Sequence, residues 1–166
     1  MAKQKKFGAI RIMWIVVLCV LFVATLAFIW GNSMLDSTTS TKESGAVYDI
    51  MQPVFDSVFG AGAITEDITR KIAHGAEFFV LGLELTLIFA AFGNYSPKNW
   101  AFIMSEGIFV ALVDETIQYF TERGPAVIDV WIDVGGFFAI SLIAGCIGLI
   151  VHAVRNKKAA KQNQLS

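Results

Sequence analysis

The chain has 166 residues, 55% hydrophobic and 16% charged, with 14 Phe and a formal net charge of −1. A soluble domain carries about a quarter charged residues, so a mean hydropathy of +0.62 excludes an ordinary soluble globule and predicts one all-α membrane domain over residues 1–166. The near-neutral charge, with basic residues gathered in the terminal tails, excludes a nucleic-acid binder.

Lys3, Lys5, Lys6 and Arg11 precede an apolar run from 12 to 30, about the length that spans a bilayer core. A signal peptide has a shorter apolar region and a small-residue cleavage site. This run closes instead on Phe28, Ile29 and Trp30, which predicts an uncleaved first span. Residues 31–71 then form a longer loop. Its Ser/Thr-rich part reads as irregular, while Val47, Ile50, Met51, Val54, Phe55 and Val58 have helical spacing around Pro53. That patch fits either a short amphipathic helix at the interface or a loop packed on the bundle.

The second span is expected over about 72–92, interrupted by His74, Glu77 and Glu84. A turn of Gly, Asn, Ser and Pro at 93–99 separates it from a third span at about 100–120. Thr121 to Pro125 is the next turn, with Pro125 suited to open the following helix. The fourth span covers about 126–151, and Arg155, Lys157, Lys158 and Lys161 follow. Gly135 and Gly136, then Gly145 and Gly148, suit close helix approach in this span. Cys19 and Cys146 both fall in apolar runs, so they read as small hydrophobes, with no disulfide, redox centre or cofactor expected.

Both tails are basic and Lys98 lies in the second loop, which places all three in the cytoplasm by the positive-inside bias. The first and third loops then face outward; they hold Lys42, Arg70, Lys71 and Arg123, but more acids surround these. In this topology His74 and Glu77 lie in the first turns of span two. Asp114, Glu115 and Gln118 lie in the last turns of span three, and Asp129 and Asp133 in the first turns of span four. At 1.5 Å per residue all sit within roughly 10–15 Å of the outer boundary. Asp114, Glu115, Gln118 and Glu122 share about a third of one helix circumference, while Lys71, His74 and Glu77 share a face of another. Turning these faces toward a common interior keeps the lipid-facing surface apolar.

Two stretches carry a resemblance. KIAHGAEFFVLGLEL, from Lys71, is similar to the first signature of the VanZ-like membrane family, Lys-x-x-His-x-x-x-Tyr-x-x-Leu-Gly. DETIQYFTERGPAVIDVWIDVGG, from Asp114, resembles the second, Asp-Glu-x-x-Gln-x-Phe, an Arg-containing turn, then Asp-Val-x-x-Asn/Asp-x-x-Gly. The matching positions are Lys71, His74, Leu81, Gly82, Asp114, Glu115, Gln118, Phe120, Arg123, Asp129, Asp133 and Gly136; Phe78 replaces the usual Tyr, and Asp133 stands where many members have Asn. The resemblance implies a multi-pass plasma-membrane protein of the Gram-positive cell envelope. Some members confer resistance to teicoplanin or related lipoglycopeptides.

The candidate ligand-binding residues are Lys71, His74, Glu77, Asp114, Glu115, Gln118, Arg123, Asp129 and Asp133. Clustered carboxylates suit a cation or a polar lipid-linked group such as a cell-wall precursor; the bland alternative is an ion-paired plug with Arg123, Lys71 and His74. No metal site is expected, since His74 and Glu77 reverse the Glu-x-x-His order of di-metal bundles and no HExxH occurs. Arg123 suits a phosphate clamp or a salt bridge to Asp129 or Glu122. Glu84 and Glu106 either line an inward extension of the cavity or are protonated and hydrogen-bonded.

The residues favour an envelope protein that binds or shields an outer-face target, among membrane lipids as its surroundings. An enzyme acting on a lipid or phosphate-bearing substrate, with Asp114, Glu115 or Asp129 as general base, is the alternative. Against it, the sequence has no G-x-S-x-G and no Cys near the acids. A proton- or cation-coupled transporter ranks lower, because four spans leave little room for alternating access without a homodimer, which the sequence leaves open.

Overall fold

The computed structural model describes residues 2–35, 37–93, 97–121 and 126–163, with side chains for 8–35, 45–93, 98–121, 126–151, 153, 154 and 157. The described residues form five helices: α1 (Ala2–Ser33), α2 (Ser37–Phe59), α3 (Glu66–Phe92), α4 (Pro97–Phe120) and α5 (Val127–Asn163). The chain is therefore all-α over these residues, as its composition predicts. The first three expected spans lie within helices that run past them at one or both ends, and the fourth begins one residue before α5, which runs past its other end. Expected features at 94–96 and 122–125, including Glu122, Arg123 and Pro125, lie outside the described residues.

Three stretches are long and apolar enough to cross a membrane by length and composition: Gly8–Ser33, Glu66–Phe92 and Val127–Val151. The third of the four expected spans is not among them. Its helix, α4, has 24 residues, and Lys98, Glu106, Asp114 and Glu115 interrupt its apolar run.

The Ser/Thr-rich segment corrects the sequence reading. Expected as an irregular loop, it forms the first half of α2, which continues through Pro53 to Phe59. Serine and threonine are only modestly unfavourable in a helix, by less than about 0.7 kcal/mol per residue, so local composition does not forbid this. Ile50, Val54, Val58 and Phe59 of α2 are exposed. Gly60 and Gly62, both at positive φ, then reverse the chain, and Asp56 accepts a hydrogen bond from the Gly62 N–H at 3.0 Å.

α3 begins six residues before its expected span because its start is capped. Thr65 is extended and accepts from the Ile68 N–H, with Glu66 and Asp67 in the first turn; both favour a helix N-terminus. Gly93 ends the helix in the left-handed conformation (φ 71°, ψ 24°) and donates to Ala90 and Phe89. Arg11 of α1 adds a donor there, its Nε lying 2.6 Å from the Ala91 carbonyl. A cation at a helix C-terminus complements the dipole, and this contact sets the start of α1 beside the end of α3.

α3 packs most extensively on α5, and the two run parallel. A Cβ on Gly136 would overlap the Gly75 carbonyl, and a Cβ on Gly82 would lie 2.6 Å from the Phe137 carbonyl oxygen and 2.9 Å from Ser141 Oγ. Of the expected close-approach glycines, Gly136 packs backbone to backbone and Gly145 admits the Trp100 ring, whereas Gly135 has nothing within 4 Å. Around this crossing lies one core of Ile29, Phe78, Leu81, Leu85, Ile103, Val110, Ala111, Val134 and Phe137. It draws on α1, α3, α4 and α5. Large apolar side chains also cover the outside, including Trp14, Val20, Val23, Phe109, Leu112 and Trp131.

The crossing makes a contrast testable. Gly→Ala in a helix interior is intrinsically favourable by about 1 kcal/mol, but overpacking costs about 1–3 kcal/mol and more against backbone. Gly136→Ala is expected to lower Tm in detergent, while Gly135→Ala leaves it unchanged or raises it.

Candidate functional site

The direction of the helices brings their polar turns to one end. α1 and α4 finish there and α3 and α5 begin there. The end of α4 is tied to the end of α1 by Thr121, whose hydroxyl donates to the Ser33 carbonyl at 3.0 Å.

Asp114 is the centre of this end and has no exposure. Ser33 donates to its Oδ1 at 2.6 Å, and Gln118, one turn on, donates through Nε2 to its Oδ2 at 2.7 Å. His74 Nδ1 lies 4.0 Å from the same Oδ2. Asp133 enters from α5 and is also fully buried; neither of its carboxylate oxygens has a hydrogen-bond partner among the described residues. One donor atom each from His74, Asp114 and Asp133 lie within 4.8 Å of one another. Glu77, Asp114, Glu115 and Asp129 are all near enough to act electrostatically on Asp133.

The remaining predicted residues take other places. Glu115 Oε2 accepts from the Ala126 N–H at 3.1 Å, so this carboxylate fastens the start of α5. Asp129 lies 3.8 Å from Arg70 Nη2. Glu77 Oε1 accepts from Asn32 Nδ2 at 3.5 Å. Lys71 is turned to Asp67, with Nζ and Oδ2 2.6 Å apart on the outside of α3, rather than to the buried acids. Arg123 lies outside the described residues. Glu84 is buried deeper along α3 and accepts from Thr25 at 3.1 Å.

Energetics separate these pairs. An exposed pair such as Lys71–Asp67 is worth about 0–1 kcal/mol, whereas an uncompensated buried ion costs several kcal/mol. Asp133, buried with no hydrogen-bond partner among the described residues, is the acid of this end whose burial cost a cation, a proton or a hydrogen-bonding ligand would offset.

Sequence reasoning missed Ser33, Thr25, Asn32 and Arg70. Thr25 and Asn32 are seven apart, nearly on one helical stripe. A polar residue inside the first apolar run, with a second at that spacing just past its end, was the available signal. Arg70 gave none, since its partner Asp129 lies on another helix.

The family model for VanZ/LLP1 matches residues 12–149. The chain belongs to the VanZ/LLP1 family. The match covers α3, α4 and all of the buried polar residues above, and with three apolar helices it supports a VanZ-like membrane protein. Neither the curated proteins nor the solved structures compared with the chain give a match.

In this VanZ/LLP1 chain, Ser33→Ala removes a donor to a buried carboxylate and is expected to destabilise by about 1–3 kcal/mol. Thr116→Ala, at an exposed hydroxyl bonded only to its own helix, serves as the neutral comparison in denaturant-induced unfolding.

Proposed function

We propose that this VanZ/LLP1 protein crosses the bacterial plasma membrane four times, through α1, α3, α4 and α5, with both termini in the cytoplasm. Its polar end then lies in the outer leaflet. There it binds a polar or lipid-linked group of the envelope, such as a cell-wall precursor, and thereby lowers susceptibility to glycopeptide or lipoglycopeptide antibiotics in a Gram-positive host. The observation that carries this reading is the convergence of Glu77, Asp114, Glu115, Asp129 and Asp133 at one end of an otherwise apolar bundle.

Three further features support the topology. α4 is about 36 Å long at 1.5 Å per residue over its 24 residues, enough for a bilayer core. Asp114 and Glu115 on α4 are buried, while Phe102, Ile108, Phe109 and Leu112 are exposed, so these two acids turn inward and the apolar outer face suits lipid. Arg11 and Lys98 belong to the end opposite the acids, in agreement with the positive-inside bias.

Membrane-impermeant maleimide applied to intact cells is expected to label Ala61→Cys, in the α2–α3 turn, and to reach Lys157→Cys only after permeabilisation. The reverse pattern overturns the orientation. For the activity, expression in a susceptible Gram-positive host is expected to reduce surface binding of a fluorescent lipoglycopeptide. Asp114→Asn and Asp129→Asn are expected to restore it at equal protein levels. Binding equal to the empty-vector control in the wild type would reject the antibiotic reading.

A further inference from the structure

We infer that His74, Asp114 and Asp133 form a binding site for a divalent transition-metal ion of the zinc class. The site shares residues with the polar end discussed above but not its ligand, so either reading can fail alone.

The three donors come from three helices, α3, α4 and α5, and one atom from each lies within 4.8 Å of the others. Zinc bonds of roughly 2.0–2.2 Å place donors about 3–4 Å apart. A small side-chain adjustment brings these three into that range. Two observations beyond proximity point to an ion. Asp133 is wholly enclosed, yet neither carboxylate oxygen has a hydrogen-bond partner among the described residues. Buried polar groups are nearly always partnered, and this one faces a histidine and a second aspartate. Asp114, meanwhile, is already oriented from behind, by Ser33 on one oxygen at 2.6 Å and Gln118 on the other at 2.7 Å. Such outer hydrogen bonds hold a ligating carboxylate in place.

Charge argues in the same direction. A divalent ion brings two positive charges between two buried carboxylates and leaves the imidazole neutral as a ligand. The donor set selects the ion. Imidazole with two carboxylates suits zinc and its first-row neighbours, while magnesium and calcium favour all-oxygen shells. Both cysteines are exposed, so soft-metal thiolate chemistry has no donors here. Three protein ligands leave a further coordination position for water or an oxygen of a bound group.

The test uses the full-length protein in detergent, stripped with a chelator, dialysed and then titrated with Zn²⁺ alone. Elemental analysis is expected to return about one zinc per chain. Asp133→Asn and His74→Gln are each expected to weaken binding by more than about tenfold, and Ser33→Ala and Gln118→Leu by about tenfold through the outer hydrogen bonds. Glu84→Gln, at a buried carboxylate with its own Thr25 donor, is expected to bind as wild type does. Where a ligand variant does not run as a monodisperse peak, Co²⁺ titration of the wild type decides. Visible d–d bands that zinc abolishes, with a zinc-dependent rise in Tm, support the site. A stripped wild type that takes up neither ion overturns it, as does undiminished zinc binding in folded Asp133→Asn.

Discussion

The contact on which the rest depends is the crossing of α3 and α5 at Gly75 and Gly136. There the two backbones meet with no room for a Cβ on Gly136. Asp133 is one turn before Gly136 on the same face, and His74 is the residue next to Gly75. Bringing these backbones together therefore brings the carboxylate to the imidazole. Ser141, whose hydroxyl donates to the Gly82 carbonyl at 3.3 Å, carries the same parallel packing two turns further along. Close approach of small residues is a general means of joining apolar helices where no hydrophobic gain separates helix from lipid. Here it also assembles the site.

α1 has a part that its composition conceals. Most of its surface faces outward: only 6% of its most apolar window is buried. Its inward stripe nevertheless supplies hydrogen bonds to three acids on other helices, from Thr25 to Glu84, Asn32 to Glu77 and Ser33 to Asp114. A donor facing a buried carboxylate is worth more than one facing water, because the acceptor would otherwise carry its full desolvation cost. The helix that looks most like a plain anchor thus holds the acids of α3 and α4 in place.

Charges also meet the helix ends. Arg11 closes the C-terminus of α3 at one end, while Asp129 and Glu115 gather at the N-terminus of α5 at the other, with Arg70 3.8 Å from Asp129. Arg11 at a helix C-terminus and the acids at a helix N-terminus each sit where the helix dipole favours them.

Much of this was readable along the chain. The apolar runs, Gly-rich turns and 3.6-residue spacing of Asp114, Glu115 and Gln118 specify helices and their inward faces, because those preferences act over a few residues. The two signatures, from Lys71 and from Asp114, pointed to the family that the match over 12–149 establishes. Local patterns failed where neighbours on other helices decide. The Ser/Thr stretch became part of α2, and Lys71, grouped by phase with His74, instead pairs with Asp67 four residues away. Ser33, expected in the outer loop, instead ends α1 and donates to Asp114 of α4. Which acids are paired, which merely fasten a turn and which are buried without a partner among the described residues depends on donors from 11 to 81 residues distant in sequence. The sequence by itself determined that polar groups must hide from lipid at one end of a helical bundle; only the tertiary structure decided that Asp133 meets His74 and Asp114, because helix crossing, not spacing, sets distances between chains of side groups on separate helices.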